Sequence, residues 1–502
     1  MGEPTPAPVA FRPLGDVIEA VAELAGQAML TVTGSAQDEL ARIRDALREP
    51  VRIAVSGRVK AGKSTLVNAL VGQVVAPTDV SECTKMVTWY RYGSPQRLEI
   101  VLRDGTRRRE RLGSGGTLPS ELGIRHSDVQ CLEVWLANDT LRSMTLIDTP
   151  GLGSLNTDYA AATEELLALG RASTEAMAAA DAIAFIFNGE VRADEAEALR
   201  TFRESSGGLG GAAGNAIGVL TKADKLASGP GWWDAAERKA KQLAEQLGED
   251  IVTMLPVVGL IAQTAEGAQL TEPDAEHLAA LAGMGEADLE LLLLSAERFT
   301  GGIAPVPAEV RQRLLGLLDL QGISACIELI REGVSRAAPL REALAKRSGI
   351  EMLRATIGET FRGKGERLKI RSALHAIERL CSVPDTDQDA GALRALADQS
   401  ERLQLSPLLH RLAEAEALAL SVAGVVTLPG ELARDVRRIA AGLTPAEQLG
   451  LPDGDPDALR AAALAGNARW RTALIAPSPA QARLAQIIRR SYALAYQQLD
   501  QP

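Results

Sequence analysis

Gly57-Arg58-Val59-Lys60-Ala61-Gly62-Lys63-Ser64 arranges two glycines, a lysine and a hydroxyl in the order G-x-x-x-x-G-K-[ST]. That spacing suits the binding of phosphate. The glycines allow a tight curl that turns several backbone N–H groups onto an anion. Lys63 is placed to meet the outer phosphates of a nucleoside triphosphate, and Ser64 to hold Mg²⁺, with Thr65 following in the loop. Downstream, Asp148-Thr149-Pro150-Gly151 supplies a carboxylate for Mg²⁺ through a water. It also supplies a glycine amide for the γ-phosphate. Thr221-Lys222-Ala223-Asp224 then offers a carboxylate that accepts two hydrogen bonds from guanine. Adenine has no matching donor pair, so the site selects GTP over ATP. Two further positions complete the set. Thr84 is chosen over Thr78 as the switch threonine of the Mg²⁺ shell, and backbone amides at Val258 and Gly259 are expected to meet the base oxygen.

These residues need elements to position them. Val51–Val55 reads as a buried strand and Lys63–Val71 as a helix, whose positive dipole end faces the same anion. Met86–Tyr92, Met144–Ile147 and Ala216–Leu220 read as further strands, each ending near a motif. The fold class is therefore an α/β P-loop GTPase domain with a doubly wound, mostly parallel sheet, at residues 51–265, plus a large all-α neck and stalk bundle. Residues 1–13, rich in proline and alanine, read as a disordered tail. Residues 14–50 carry helical stripes through Val17, Val21, Leu24, Leu40 and Ile43, with Ser35 as an expected helix cap. Residues 266–502 form helices separated by Gly301-Gly302, Gly322, Gly349 and Pro429-Gly430. The last of them, about 480–500, is expected to return and pack on the first.

The chain resembles the bacterial dynamin-like GTPases. The resemblance is carried by Gly57–Thr65 with Leu66-Val67-Asn68-Ala69-Leu70, by Ala76-Pro77-Thr78 and Thr84, and by Val87-Thr88-Trp89-Tyr90. Asp148–Gly151 and Thr221–Asp224 belong to it, and it continues more thinly through Phe361-Arg362 and Leu368–Leu374. It implies GTP hydrolysis to GDP coupled to membrane remodelling. It also implies GTPase domains that pair face to face, as a homodimer or with a second dynamin-like protein. Leu152 follows Gly151 and cannot align an attacking water. Lys60 is accordingly read as a cationic finger acting in cis, with a plain solvent-facing lysine as the alternative.

The 502 residues carry a net charge of −11 and only 3% aromatics. That argues against nucleic-acid partners, which need basic patches and stacking surfaces. Cys83, Cys131, Cys326 and Cys381 are scattered and read as free thiols of a reducing cytoplasm. The four histidines show no zinc spacing. No apolar run is long enough to span a bilayer, so the expected location is cytoplasmic, with peripheral contact to the inner face of the membrane. Arg107-Arg108-Arg109-Glu110-Arg111 reads as a solvated hairpin edge after Asp104-Gly105. A tip at Leu380–Asp389 is acidic, unlike the basic or hydrophobic tip the resemblance implies. Two alternatives to membrane work stay open: a GTPase that times assembly of a ribosomal or envelope complex, and a scaffold with vestigial hydrolysis.

Overall fold

A computed structural model describes residues 15–500 apart from 78–85, 114–115, 120–121, 126–127, 152–171, 206–214, 227–231, 363–364, 383–388, 423–425 and 473–477. Nine strands form one sheet: β1 (Val51–Gly57), β2 (Thr88–Tyr92), β3 (Arg97–Leu102), β4 (Arg107–Glu110), β5 (Val129–Leu136), β6 (Met144–Asp148), β7 (Ala182–Phe187), β8 (Ala216–Thr221) and β9 (Met254–Val257). Their order across the sheet is β4-β3-β5-β2-β6-β1-β7-β8-β9. The run β6-β1-β7-β8-β9 is parallel throughout. Every residue of β7 and β8 is buried, which matches their unbroken apolar sequences, since strands covered on both faces show no alternation. Because these strands are parallel, the carboxyl ends of β1, β6, β8 and β9 open on one side, where ligands bind in such sheets.

The far edge is antiparallel. Gly105 has φ +83° and Asp104 accepts a hydrogen bond from the Thr106 amide at 2.8 Å, so the expected hairpin is present. Arg107 pairs with Glu99 and Glu133, Arg108 with Glu110 and Arg109 with Glu99. Three arginines of the cluster are thus paired within the sheet, and the charged edge strand resists pairing with other chains.

The chain divides into two compact units, one holding 50–206 and 212–368, the other the described residues before 50 and after 368. The sheet's core runs without interruption from Ile53 through Leu278, Leu314 and Leu340 to Leu368. The boundary expected at 265 is therefore corrected: the helices Glu272–Ala282, Ala308–Arg331, Ala337–Arg347 and Ile350–Ile357 belong to the sheet's unit. Their leucine-rich stripes gave no hint of partner, because a helix packs equally well on a helix or on a sheet. Gly322, read as a turn, lies inside the helix Ala308–Arg331. A Cβ there would stand 3.1 Å from Ile261, so the glycine serves close helix contact.

In the other unit the helices Gly15–Ala28 and Gly34–Arg48 bury Val17, Val21, Leu40 and Ile43 against Ile370, Ile377, Leu393 and Leu409. Thr33, not Ser35, stands at the N-cap position of the second of these helices, and its amide and hydroxyl donate to Asp389 rather than capping the helix. The last helix, Pro479–Asp500, buries Leu484, Ile488 and Tyr492 in a separate cluster with Ala417, Val436 and Trp470. The expected packing of first helix on last is corrected accordingly. The helix Pro407–Val422 joins the two clusters, giving Leu409 and Leu412 to one and Ala417 and Leu418 to the other. Both terminal stripes are apolar, and periodicity alone does not choose between neighbours. The acidic tip segment falls mostly outside the described residues, as do residues 1–14.

Candidate nucleotide-binding site

β1 delivers the phosphate loop and the helix Lys63–Val71 carries it away. Gly57 has φ +150°, and a Cβ on it would lie 2.8 Å from the Ile186 carbonyl, so only glycine passes between β1 and β7. Gly62 has φ +98° and caps the helix in the left-handed region. The first amides of that helix have no intrahelical partner and are available to an anion. Lys63 is buried, and its Nζ donates to the carbonyls of Gly57 (3.2 Å) and Arg58 (2.9 Å). Burial holds its pKa below the usual lysine value, opposed by the Asp148 charge.

Ser64 Oγ donates to Asp148 Oδ2 at 2.9 Å, which brings the two expected metal-binding residues together. The other carboxyl oxygen, Oδ1, is buried and has no hydrogen-bond partner among the described residues. Burial pushes Asp148 up to about 6, against the pull of Lys63 and Ser64. A hydroxyl and a carboxylate with one buried, unpaired oxygen form a donor set that suits Mg²⁺, a hard cation that prefers oxygen. Thr84 lies outside the described residues, as does Leu152. Thr149 Oγ1 donates to Val55 O at 3.0 Å and anchors the end of β6 to β1. The Pro150 carbonyl accepts from Ser173 Oγ at 2.8 Å. A Cβ on Gly151 would lie 2.7 Å from the backbone N of Val59, so this glycine lets the segment touch the phosphate loop.

On the base side, Thr221 Oγ1 meets Ala61 O (2.8 Å) and Asn188 Oδ1 (2.7 Å), joining β8 to the phosphate loop. Lys222, at φ +53°, donates through Nζ to the Lys60 carbonyl at 3.0 Å. The two motifs are thus stapled together. Ala223 is fully buried and Asp224 nearly so. Burial raises the Asp224 pKa, with Asp319 adding to the shift. Val258 and Gly259 fall beside this site, but the Val258 N–H donates to Ser348 O at 2.9 Å. That amide is committed, which leaves Gly259, at the start of the helix Gly259–Glu266, as the remaining expected base-capping position. Lys60 has φ +61° and an exposed side chain.

Several contacts escaped the reading of the sequence. Arg58 of the phosphate loop pairs with Asp194 at 2.6 Å. Asn188 and Ser173 brace the two motifs from outside them. An asparagine just after an apolar strand was the one available signal for Asn188. Arg58 and Asp194 lie 136 residues apart, and nothing local links them.

Comparison with known proteins agrees with this geometry. A model of the Dynamin family matches residues 53–223. The chain is 34% identical over 451 residues to the isoniazid-induced protein IniC of Mycobacterium tuberculosis, covering 86% of this chain and 87% of that one. A bacterial dynamin-like protein of Nostoc punctiforme is 36% identical over 87 residues, 17% of this chain and 13% of its own length. Among solved structures, an oligomerised bacterial dynamin pair, described as a mechanism for long-range sensing and tethering of membranes, aligns with 97% of this chain and 90% of that one. The identity there is 14% and the TM-score 0.34.

Proposed function

The chain belongs to the dynamin family, and on that premise we propose that it hydrolyses GTP to GDP and phosphate and couples the cycle to membrane remodelling. The observation that carries the reading is the convergence of buried Lys63, the Ser64–Asp148 contact with its unpaired Oδ1, and buried Asp224 along one edge of a parallel sheet. Lys63 and the amides of the helix start bind the phosphates. Ser64, Asp148 through a water, and Thr84 would hold Mg²⁺, which when bound neutralises phosphate charge. Asp224 orients the base, and Gly151 reads the terminal phosphate. Lys60 is placed on the loop as the candidate finger for charge between the phosphates. Pairing of GTPase domains, in a homodimer or with a second dynamin-like chain, would complete the machine at the inner face of the membrane. No helix among the described residues is long and apolar enough to cross a membrane, so contact with lipid would be peripheral.

Turnover of GTP against ATP, with and without anionic liposomes, tests this reading. GTP-selective hydrolysis that rises more than linearly with protein concentration, together with co-sedimentation, is the expected result. Hydrolysis without lipid association would favour timing of a complex instead. The pH dependence adds a check. Asp148 must be ionised to serve the metal, and its pKa in the nucleotide-free protein is about 6. Affinity for Mg²⁺–GTP should therefore fall about tenfold for each pH unit below that value. The stability of the nucleotide-free protein runs the other way. The folded state takes up the Asp148 proton more readily than the unfolded state, so this group's penalty, present above pH 6, is relieved as pH falls toward 4. Asp148→Asn should flatten both profiles in isothermal titration and denaturation experiments.

A further inference from the structure

Asp319 sits in the middle of the helix Ala308–Arg331 with φ +54° and ψ 176°, a backbone setting that breaks the helix there. Side chains other than glycine rarely enter that region, and they persist in it only where the surroundings hold them. Three contacts hold this one. Lys225 Nζ lies 3.4 Å from Asp319 Oδ2. Asp319 Oδ1 accepts the Leu320 amide at 2.8 Å. The Leu317 carbonyl accepts the Thr264 hydroxyl. In a straight helix the Leu320 amide would donate to Gly316 O and the Leu317 carbonyl would accept from the Gln321 amide. The two polar groups thus have partners in either arrangement, which is what a two-state element requires.

The origin of the two outside contacts is the informative point. Lys225 ends the short turn Ala223–Lys225 and is the neighbour of Asp224, the base-reading carboxylate. Thr264 lies on the helix that begins at Gly259, the base-capping position. Both segments that would close on a guanine also grip the same break in the same helix. We propose that the kink at Asp319 is a hinge coupled to guanine occupancy, so that ordering of the 223–225 turn and the 259–266 helix by the base fixes the helix Ala308–Arg331 in its bent setting. This rests on the guanine reading above. The coupling is reciprocal: a change that disfavours the bend lowers affinity for the nucleotide by the factor that the nucleotide stabilises the bend. The Asp319 charge adds to the upward shift that burial gives Asp224, so the affinities of the variants are compared over a range of pH.

Hydrogen exchange of residues 314–326 in the full chain, with and without GDP, tests the hinge alongside GDP affinities of variants. GDP should slow exchange there about fivefold or more, and ADP should not. Asp319→Ala favours the straight helix and should weaken GDP binding by a similar factor. Asp319→Gly, which adopts the bent backbone freely, should weaken it less. Thr264→Val, which removes the second grip, should weaken GDP binding too and guards against a folding defect in the Asp319 variants. Glu309→Gln on the same helix should change nothing. Wild-type binding of GDP with unchanged exchange at the kink, or full affinity in both Asp319→Ala and Thr264→Val, overturns the hinge and leaves the guanine reading standing. Absence of GDP binding by the wild type removes the guanine reading, and the hinge with it.

Discussion

Lys63→Met is expected to abolish GTP turnover, by on the order of 10²–10³-fold or more, while shifting the melting temperature of the nucleotide-free protein by only a few degrees. The two effects separate because the lysine's tasks differ in the two states. In the proposed nucleotide complex it would be a point charge on the outer phosphates, and no apolar side chain would replace it. Without nucleotide it is a buried ammonium donating to two loop carbonyls, at a desolvation cost that already lowers its pKa. Removing the ammonium relieves its desolvation cost, which offsets the loss of its two hydrogen bonds to the loop carbonyls. The change also removes the Lys63 charge that holds the Asp148 pKa down, so that carboxyl takes up a proton more readily in the variant. Single-turnover hydrolysis and calorimetry on the same preparation check both halves. A large fall in melting temperature would mean that Lys63 is chiefly structural.

Asp224→Asn should exchange the base preference. In the proposed site the buried carboxylate would accept from guanine N1–H and its 2-amino group. An amide in its place keeps one acceptor but sets its own N–H against the 2-amino group. A site built around hydrogen bonds discriminates by about 10⁴-fold against a ligand that leaves them unmade. Affinity for GTP should fall by that order, and xanthosine triphosphate, which carries an oxygen at the 2-position, should gain it. Competition binding with GTP, ATP and xanthosine triphosphate reads the result. Equal binding of GTP by wild type and variant would remove Asp224 from the base site.

The legible part of the molecule was the part where chemistry demands particular residues in a short window. The phosphate loop, Asp148–Gly151 and Thr221–Asp224 each declare themselves within eight residues, and each falls at the end of a strand that its apolar run announces. Part of the parallel core was legible for the same reason, since β8 has no polar face to mislead, whereas β7 carries no motif and drew no strand assignment. What stayed hidden depends on distant partners. Arg58 finds Asp194, Thr221 finds Asn188, and the Val258 amide finds Ser348 across the helix behind it. The break at Asp319 also had no local signature. Gly322, three residues on, drew the turn assignment because glycine is the usual breaker, whereas the actual bend is held from outside by Lys225 and Thr264.

The unbroken core from Ile53 to Leu368 has a practical bearing on how this molecule is taken apart. A catalytic fragment cut at the last nucleotide motif would strip Leu278, Leu314, Leu340 and Leu353 from their seats and leave bare an oily surface that folding had covered. Such a piece would clump or melt before its chemistry could be read. The smallest portion able to stand alone carries its own helical buttress through residue 368, and that buttress includes the bent helix gripped by Lys225 and Thr264.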